Sequence, residues 1–150
     1  MNSNLLNRLL STNSSLTGLA LRIPTGIIFA AHGAQKLFGA FGGYGLEGTG
    51  QWMASIGLEP GYLLALGAGS AEFFGGIALL LGLLTRPAAV VLAFTMLVAI
   101  FSVHISNGLF MSNNGYEFGL ALFSISVALA FNGAGAISID RRMSTLSEQA

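Results

Sequence analysis

Five ionisable side chains that could do chemistry lie in or beside long apolar stretches of this sequence. They are His32, Lys36, Glu72, His104 and Glu117. Imidazole and ammonium groups donate hydrogen bonds and carboxylates accept protons, so together they could bind a small polar head group. A charge at the centre of a bilayer costs about 3 kcal/mol on insertion scales, so such residues suggest a function. No recognisable motif assigns any of them a catalytic step, because no serine adjoins a histidine–carboxylate pair.

The composition indicates a chain without a water-facing exterior. Hydrophobic residues make up 53% of the 150 residues and charged residues only 8%, whereas a soluble domain has about a quarter of its residues charged. Six basic and six acidic residues cancel, so we expect no nucleic acid partner. The absence of cysteine excludes thiolate metal sites, a protein-borne disulfide relay and covalent c-type haem in this chain. The expected partner is the lipid bilayer.

Four apolar stretches are long enough to cross a bilayer, which takes about 20 helical residues. They cover approximately residues 18–38, 62–84, 88–104 and 116–132. We expect helices, because an open strand in lipid would leave backbone polar groups unpaired. The sequence therefore predicts an all-α membrane protein with a four-transmembrane-helix bundle at 18–142. A polar segment at 1–17 precedes the bundle, and a tail at 143–150 follows it.

The basic residues orient these spans. If the N-terminus is cytoplasmic, one side of the membrane receives every arginine, namely Arg8, Arg22, Arg86, Arg141 and Arg142. The positive-inside rule then places both termini in the cytoplasm and makes Arg22, Arg86, Arg141 and Arg142 topology and headgroup anchors. The long connection at 39–61 becomes an outer loop, in which Thr49 could cap a short helix around 51–56.

Helical spacing brings the five ionisable residues toward one site in the outer half of the bundle. His32 and Lys36 share a face of the first span with Arg22, Thr25 and Phe29. Glu72 lies near the bilayer midplane, in the middle of a face of small residues: Ala65, Ala68, Gly69 and Gly76. Because small faces let helices approach closely, we expect Glu72 to point into the bundle.

The third and fourth spans complete the predicted cluster. His104 lies near the outer end of the third span, on a face with Leu97, Ile100 and Phe101. Glu117 begins the fourth span, which carries a small and polar stripe: Glu117, Ala121, Ser124 and Ala128. Structural explanations also exist for the polar residues. Lys36 could extend to the outer headgroups, the histidines could be satisfied interior residues, and Glu117 could favour a helix N-terminus capped by Asn113 or Asn114.

The order of the motifs resembles the DoxX family of small bacterial membrane proteins. The matching segments are R-x-x-x-G-x-x-F-x-x-H-G-x-x-K at 22–36, SAEFFGGIALLLGLLTRPAA at 70–89, His104, NNGYE at 113–117 and GAGAISID at 133–140. The resemblance covers approximately residues 18–142. Ala134 departs from the Gly-Pro-Gly often found at its position in the family, which affects only the exit from the fourth helix.

This resemblance implies a four-helix integral protein of the bacterial inner membrane. The family takes its name from proteins associated with a quinol-linked terminal oxidase and thiosulfate oxidation, and related members are linked to membrane oxidoreductase complexes. The wider group also contains proteins with non-enzymatic roles, so the fold alone does not establish redox chemistry.

Three functions remain open at this point. In the first, the chain is a quinone- or quinol-interacting subunit, and its polar cluster binds the head group. An apolar slot beside the cluster is lined by Phe29, Phe73, Phe74 and Phe101. The electrons come from a redox partner subunit. In the second, His32 and His104 bind haem or a metal, with Glu72 or Glu117 as a further ligand. In the third, the chain is a non-catalytic scaffold, a homo-oligomer or a small-solute carrier, and the cluster is structural.

Overall fold

The computed structural model describes Leu10, Thr12 and residues 15–148 of the chain, and these residues form helices and connections without a strand. Within residues 15–148, six α-helices follow one another: α1 (Leu16–Phe38), α2 (Gly45–Ser55), α3 (Gly61–Leu81), α4 (Thr85–Ala99), α5 (Glu117–Asn132) and α6 (Ile139–Glu148). A π-helical turn at Ile100–His104 and a 3₁₀ turn at Ile105–Asn107 continue α4. The predicted all-α class is confirmed.

Two of the described helices are long and apolar enough to cross a membrane. They are α3, at Gly61–Leu81, and α4 with its continuation, at Thr85–Asn107; α5 is a shorter apolar helix. Helix α1 has 23 residues but carries Arg22, His32, Gln35 and Lys36. The four-span topology and the cytoplasmic termini therefore stay predictions.

Glycines let α1 and α3 pack backbone to backbone. A Cβ at Gly33 would overlap the backbone of Phe73, and one at Gly76 would overlap the backbone of Ala30. A Cβ at Gly26 would lie 2.8 Å from the carbonyl oxygen of Gly76. Small residues are typical of helix pairs that associate in membranes through close van der Waals packing. The α1–α3 pair consequently forms the tightest part of the bundle and places the residues of both helices in a defined register.

The second half of the bundle is α4 packed along α5, with its core against α1 and α3. The buried apolar cluster contains Phe29, Leu79, Ala89, Leu92, Met96, Leu122 and Leu129. Helix α2 folds back over the first turns of α3 and buries Met53. We call the end of the bundle that carries α2 and the connection at 105–116 the loop end, and the opposite end, which carries Arg22, Arg86 and α6, the arginine end.

Arg22 holds the arginine end together and is not a headgroup anchor. Its side chain is 1% exposed, and it donates five hydrogen bonds to backbone carbonyls. The acceptors are Leu79 and Leu80 in the last turn of α3, and Ala134, Ala136 and Ile137 in the segment that follows α5. The prediction of an anchor was wrong because these carbonyls, at the end of α3 and in the segment after α5, accept hydrogen bonds from the buried guanidinium, which therefore does not reach the headgroups.

The other three predicted anchors differ from Arg22, and Arg8 lies outside the described residues. Arg86 is partly buried and donates to the carbonyl of Ala130 in the last turn of α5, 3.0 Å away. Arg141 and Arg142 are exposed on α6. Exposed arginines at the arginine end are compatible with the predicted anchoring, which the structure does not test.

Two local predictions were wrong. Thr49 does not cap the loop helix, because α2 begins four residues earlier, at Gly45, and Thr49 is buried inside it. The stripe on α5 faces outward: Ala121, Ser124 and Ala128 are exposed, whereas the buried positions are Leu122, Ser126 and Leu129. Because α5 is apolar all round, its sequence alone does not indicate which side meets the bundle.

Candidate functional site

An ion pair between α1 and α3 forms the centre of the candidate site. Lys36 Nζ lies 2.6 Å from Glu72 Oε2, which accepts its hydrogen bond. The Glu72 side chain is 5% exposed and that of Lys36 is 26% exposed. The backbone packing at Gly33 and Gly76 positions the pair, because it fixes α1 against α3 along its length. The prediction that Glu72 points into the bundle is confirmed.

Two cavities border this ion pair and share several of their lining residues. The first, the α5 cavity, has a volume of about 250 Å³, and its walls include Phe29, His32, Met96, Phe118 and Leu122. The second, the α3–α4 cavity, has a volume of about 280 Å³ and is lined by residues such as Trp52, Met53, Ala68 and Val103. Both cavities are lined by Lys36, Glu72, Ala99, His104 and Asn114. Each combines apolar walls with a few convergent polar groups, as small-molecule sites do.

His104 reaches these cavities from the π-helical turn that ends the regular part of α4. Its Nδ1 lies 2.8 Å from the carbonyl oxygen of Asn114, in the connection before α5. A carbonyl only accepts hydrogen bonds, so Nδ1 carries the proton and donates, and in a neutral ring Nε2 is left as an acceptor. Single π-helical turns in α-helices are frequent at functional sites. The turn at Ile100–His104 is therefore a second indication that this position is used.

His32 lines the α5 cavity but not the α3–α4 cavity. Its ring is tilted against that of Phe118, with 6.2 Å between the ring centroids. It is more exposed than Glu72, which lies deeper in the bundle. His32 thus belongs to the rim of the predicted cluster.

Glu117 does not join the cluster. Its Oε1 accepts a hydrogen bond from the backbone N–H of Met111 at 2.6 Å, and its own N–H donates to the carbonyl of Leu109. It does not line either of the two cavities. The prediction that it joins the cluster was wrong because its carboxylate folds the connection before α5 instead. Asn113 and Asn114 do not cap α5 either, since Tyr116 precedes the helix without a side-chain cap.

The predicted aromatic slot needs a similar correction. Phe29 is buried and lines the α5 cavity, but Phe74 and Phe101 are 62% and 67% exposed on the outside of the bundle. Phe73 contacts the rings of Phe38 and Phe74. Phe118, which the sequence did not indicate, takes the place of these rings in the cavity wall.

Two other residues of the site were missed from the sequence. Asn114 lines both cavities and fixes His104 through its backbone carbonyl, a role that side-chain type does not reveal. Met96 lies four residues, about one helical turn, before Ile100, on the buried face of α4. That face was detectable from the spacing of Leu92, Met96 and Ile100.

The metal alternative requires at least three ligands for a His₂-carboxylate site. Among the described residues, no three His, Asp or Glu side chains are grouped closely enough to hold an ion. His32 and His104 both line the α5 cavity, but Glu117 is engaged by Met111 and Glu72 by Lys36. The arrangement of these side chains is typical of a hydrogen-bonding site and not of a metal centre.

Comparison with known proteins identifies the chain's relatives. Residues 18–105 match the DoxX family model. A Bacillus subtilis (strain 168) protein named "Putative oxidoreductase CatD" is 39% identical over 111 residues, which cover 74% of this chain and 76% of that protein. No solved structure gives a significant match.

Two relatives from Escherichia coli (strain K12) carry membrane names. Inner membrane protein YqjF is 37% identical over 129 residues, covering 82% of this chain and 88% of that protein. Inner membrane protein YphA is 34% identical over 129 residues, covering 83% and 88%. With the two membrane-length apolar helices, these findings place the protein in the inner membrane. The chain belongs to the DoxX family.

Proposed function

We propose that this protein is an accessory subunit of an inner-membrane oxidoreductase complex and binds the head group of a quinone or quinol beside Lys36 and Glu72. The observation that carries this proposal is the pair of apolar-walled cavities that meet at one ion pair and at His104. The oxidoreductase name of the Bacillus relative supports it. A redox partner subunit supplies or accepts the electrons.

The proposal includes a bundle that crosses the membrane four times with both termini in the cytoplasm. Helices α3 and α4 have the length and hydropathy for this, and the 23 residues of α1 are long enough. The 16 residues of α5 extend about 24 Å, a little less than the hydrocarbon core. Local thinning of the bilayer and the polar flanks of α5 accommodate that difference.

The chemistry of a quinone head group matches the donors and acceptors around the cavities. Its two oxygens accept hydrogen bonds as a quinone and also donate them as a quinol. Lys36 is a donor on α1, and the Nε2 of a neutral His104 on α4 is an acceptor for a quinol hydroxyl. Glu72 is the carboxylate that can exchange a proton with the ligand, and it is paired with Lys36. Phe29, Met96 and Leu122 supply apolar contacts to the ring.

Thermal unfolding of the purified protein in mild detergent, with and without a short-chain ubiquinone analogue, tests this function. A ligand at 100 times its Kd stabilises the folded state by about 2.7 kcal/mol. We expect a rise in Tm that is lost in Lys36→Met and His104→Phe. Glu47→Gln is the matched control, because Glu47 is exposed on α2 and lines neither cavity. An unchanged Tm at saturating quinone would reject the quinone site.

A second candidate function is a non-catalytic scaffold, homo-oligomer or small-solute carrier. The observation in its favour is that Lys36 and Glu72 already satisfy each other without a ligand. In this case a complementation assay in cells would tolerate Glu72→Gln and His32→Ala. It would not tolerate Gly76→Leu, which disrupts the α1–α3 packing.

A further inference from the structure

Lys36 lies where three cavities meet. In addition to the α5 and α3–α4 cavities, it lines a third one of about 280 Å³ at the loop end, which we call the loop cavity. The other walls of the loop cavity are Gln35, Gly42, Gly43, Tyr44, Thr49 and Trp52. These residues belong to the end of α1, the connection after it and α2. The loop cavity therefore connects the ion pair with the surface of the loop end.

Trp52 also lines more than one of these cavities. It lines the loop cavity and the α3–α4 cavity, and 42% of its surface is exposed. Tyr44, on the outer side of the same cavity, is 82% exposed. Gly42 leaves room on this side, since a Cβ there would have no neighbour within 4 Å, whereas Gly43 packs against the backbone of Gln35. The cover over the ion pair is thus thin and open, in contrast to the packed centre of the bundle.

The arginine end is closed by comparison. Arg22, Ala134, Ala136 and Asp140 are each at most 7% exposed there. The guanidinium of Arg22 ties the last turn of α3 to the segment after α5 through five carbonyls. Between this end and the ion pair lie the fully buried side chains of Phe29, Leu79 and Leu129. A hydrophobic layer of this kind excludes water and ions.

We propose that water and protons reach the Lys36–Glu72 pair from the loop end only, through the three cavities that Lys36 borders there. Lys36 is suited to this position because its ammonium is 26% exposed while the carboxylate behind it is 5% exposed. In the proposed orientation the loop end faces outward, so Glu72 exchanges protons with the outer aqueous phase. The proposal adds an access route to the binding site and does not depend on which ligand the site takes.

The natural chain contains no cysteine, so a single introduced cysteine reports access without a background signal. Ala99→Cys places a thiol in the wall shared by the α5 and α3–α4 cavities, beyond the ion pair. Ser126→Cys is the matched control, because Ser126 is 0% exposed and lies on the buried side of α5. The full-length variants, in sealed membrane vesicles of known sidedness, are treated with a small, membrane-impermeant cationic thiol reagent. Thiols react as thiolates and need water around them.

We expect Ala99→Cys to react from the outer side at least about tenfold faster than Ser126→Cys, which is reached only by local opening. Reaction of Ala99→Cys at the rate of Ser126→Cys, or at similar rates from both sides, would overturn the one-sided route, and reaction from the cytoplasmic side only would overturn the exchange of protons with the outer phase. Ala68→Cys, in the wall of the α3–α4 cavity, serves as a second probe if Ala99→Cys does not fold. No ligand is added, so a failure here is distinct from a failure of quinone to stabilise the protein.

Discussion

Lys36 on α1 and Glu72 on α3 are joined by a 2.6 Å hydrogen bond, although 36 residues separate them in the chain. The carboxylate is almost completely buried and the ammonium borders three cavities. The buried partner therefore depends on the exposed one for compensation of its charge. This asymmetry determines how the two residues respond to mutation and to ligands.

Removing Lys36 should be more harmful than removing Glu72. Lys36→Met leaves a buried carboxylate without its partner, whereas after Glu72→Gln the Lys36 ammonium still reaches water in the loop cavity. Breaking a fully buried ion pair costs about 3–5 kcal/mol, and we expect about half of that for Lys36→Met because the pair is partly exposed. Unfolding of the single and double variants in detergent gives the coupling energy. Equal Tm losses in both single variants would contradict this reading.

Arg22 should be among the least replaceable residues of the chain. Arg22→Lys keeps the charge but loses the planar fork that serves five carbonyls on two segments. We expect about 2–4 kcal/mol of lost stability, measured by denaturant unfolding in detergent. Arg141→Lys, at an exposed position, is the control and should change stability by less than about 0.5 kcal/mol. If both variants behave alike, Arg22 is an anchor after all.

Two glycines of α3 should respond in opposite ways to alanine. Gly76→Ala forces a Cβ against the backbone of Ala30 and should separate α1 from α3, at a cost of about 1–3 kcal/mol. A Cβ at Gly67 meets nothing within 4 Å, so Gly67→Ala should be neutral or stabilising by up to about 1 kcal/mol. The comparison of their melting temperatures needs no ligand. A neutral Gly76→Ala would show that the two helices are less closely packed.

Asp140 should stabilise the N-terminus of α4, although it is far from that helix in the sequence. Its carboxylate accepts from the N–H groups of Leu84 and Thr85, at 2.6 and 2.9 Å, and is 1% exposed. Loss of such a cap typically costs about 1 kcal/mol, and Asp140→Ala should cost at least that because two N–H groups lose their acceptor. Thr145→Ala, on an exposed site of α6, is the control in the same unfolding assay. If the two variants have the same stability, Asp140 does not cap α4.

Hydrophobic periodicity and length predicted the helices well, because membrane-length apolar runs offer few alternatives to the backbone. The predicted second span ended too late, at 84. Helix α3 stops at Leu81 because Gly82 takes up a left-handed conformation as its C-cap. The inward direction of Glu72 was predictable because small residues lie at helical spacing on both sides of it.

The residues that depend on distant backbone were not predictable. Arg22 binds carbonyls more than 50 positions away, and Asp140 caps a helix that begins 55 residues earlier. An arginine at a helix end has the same sequence signature whether it contacts lipid headgroups or carbonyls. Glu117 was misplaced for a related reason, since a carboxylate in the first turn of a helix can turn toward the bundle or fold the preceding connection, as it does here.

Native mass spectrometry of the protein, extracted gently from its own membrane, tests the central claim most directly. We predict a bound small molecule whose mass is that of a quinone or quinol, and its loss from Lys36→Met but not from Glu47→Gln. A spectrum of the ligand-free chain alone from the unaltered protein, under conditions that retain tightly bound lipid, would contradict the ligand site. The Lys36–Glu72 pair would then be a structural link between α1 and α3.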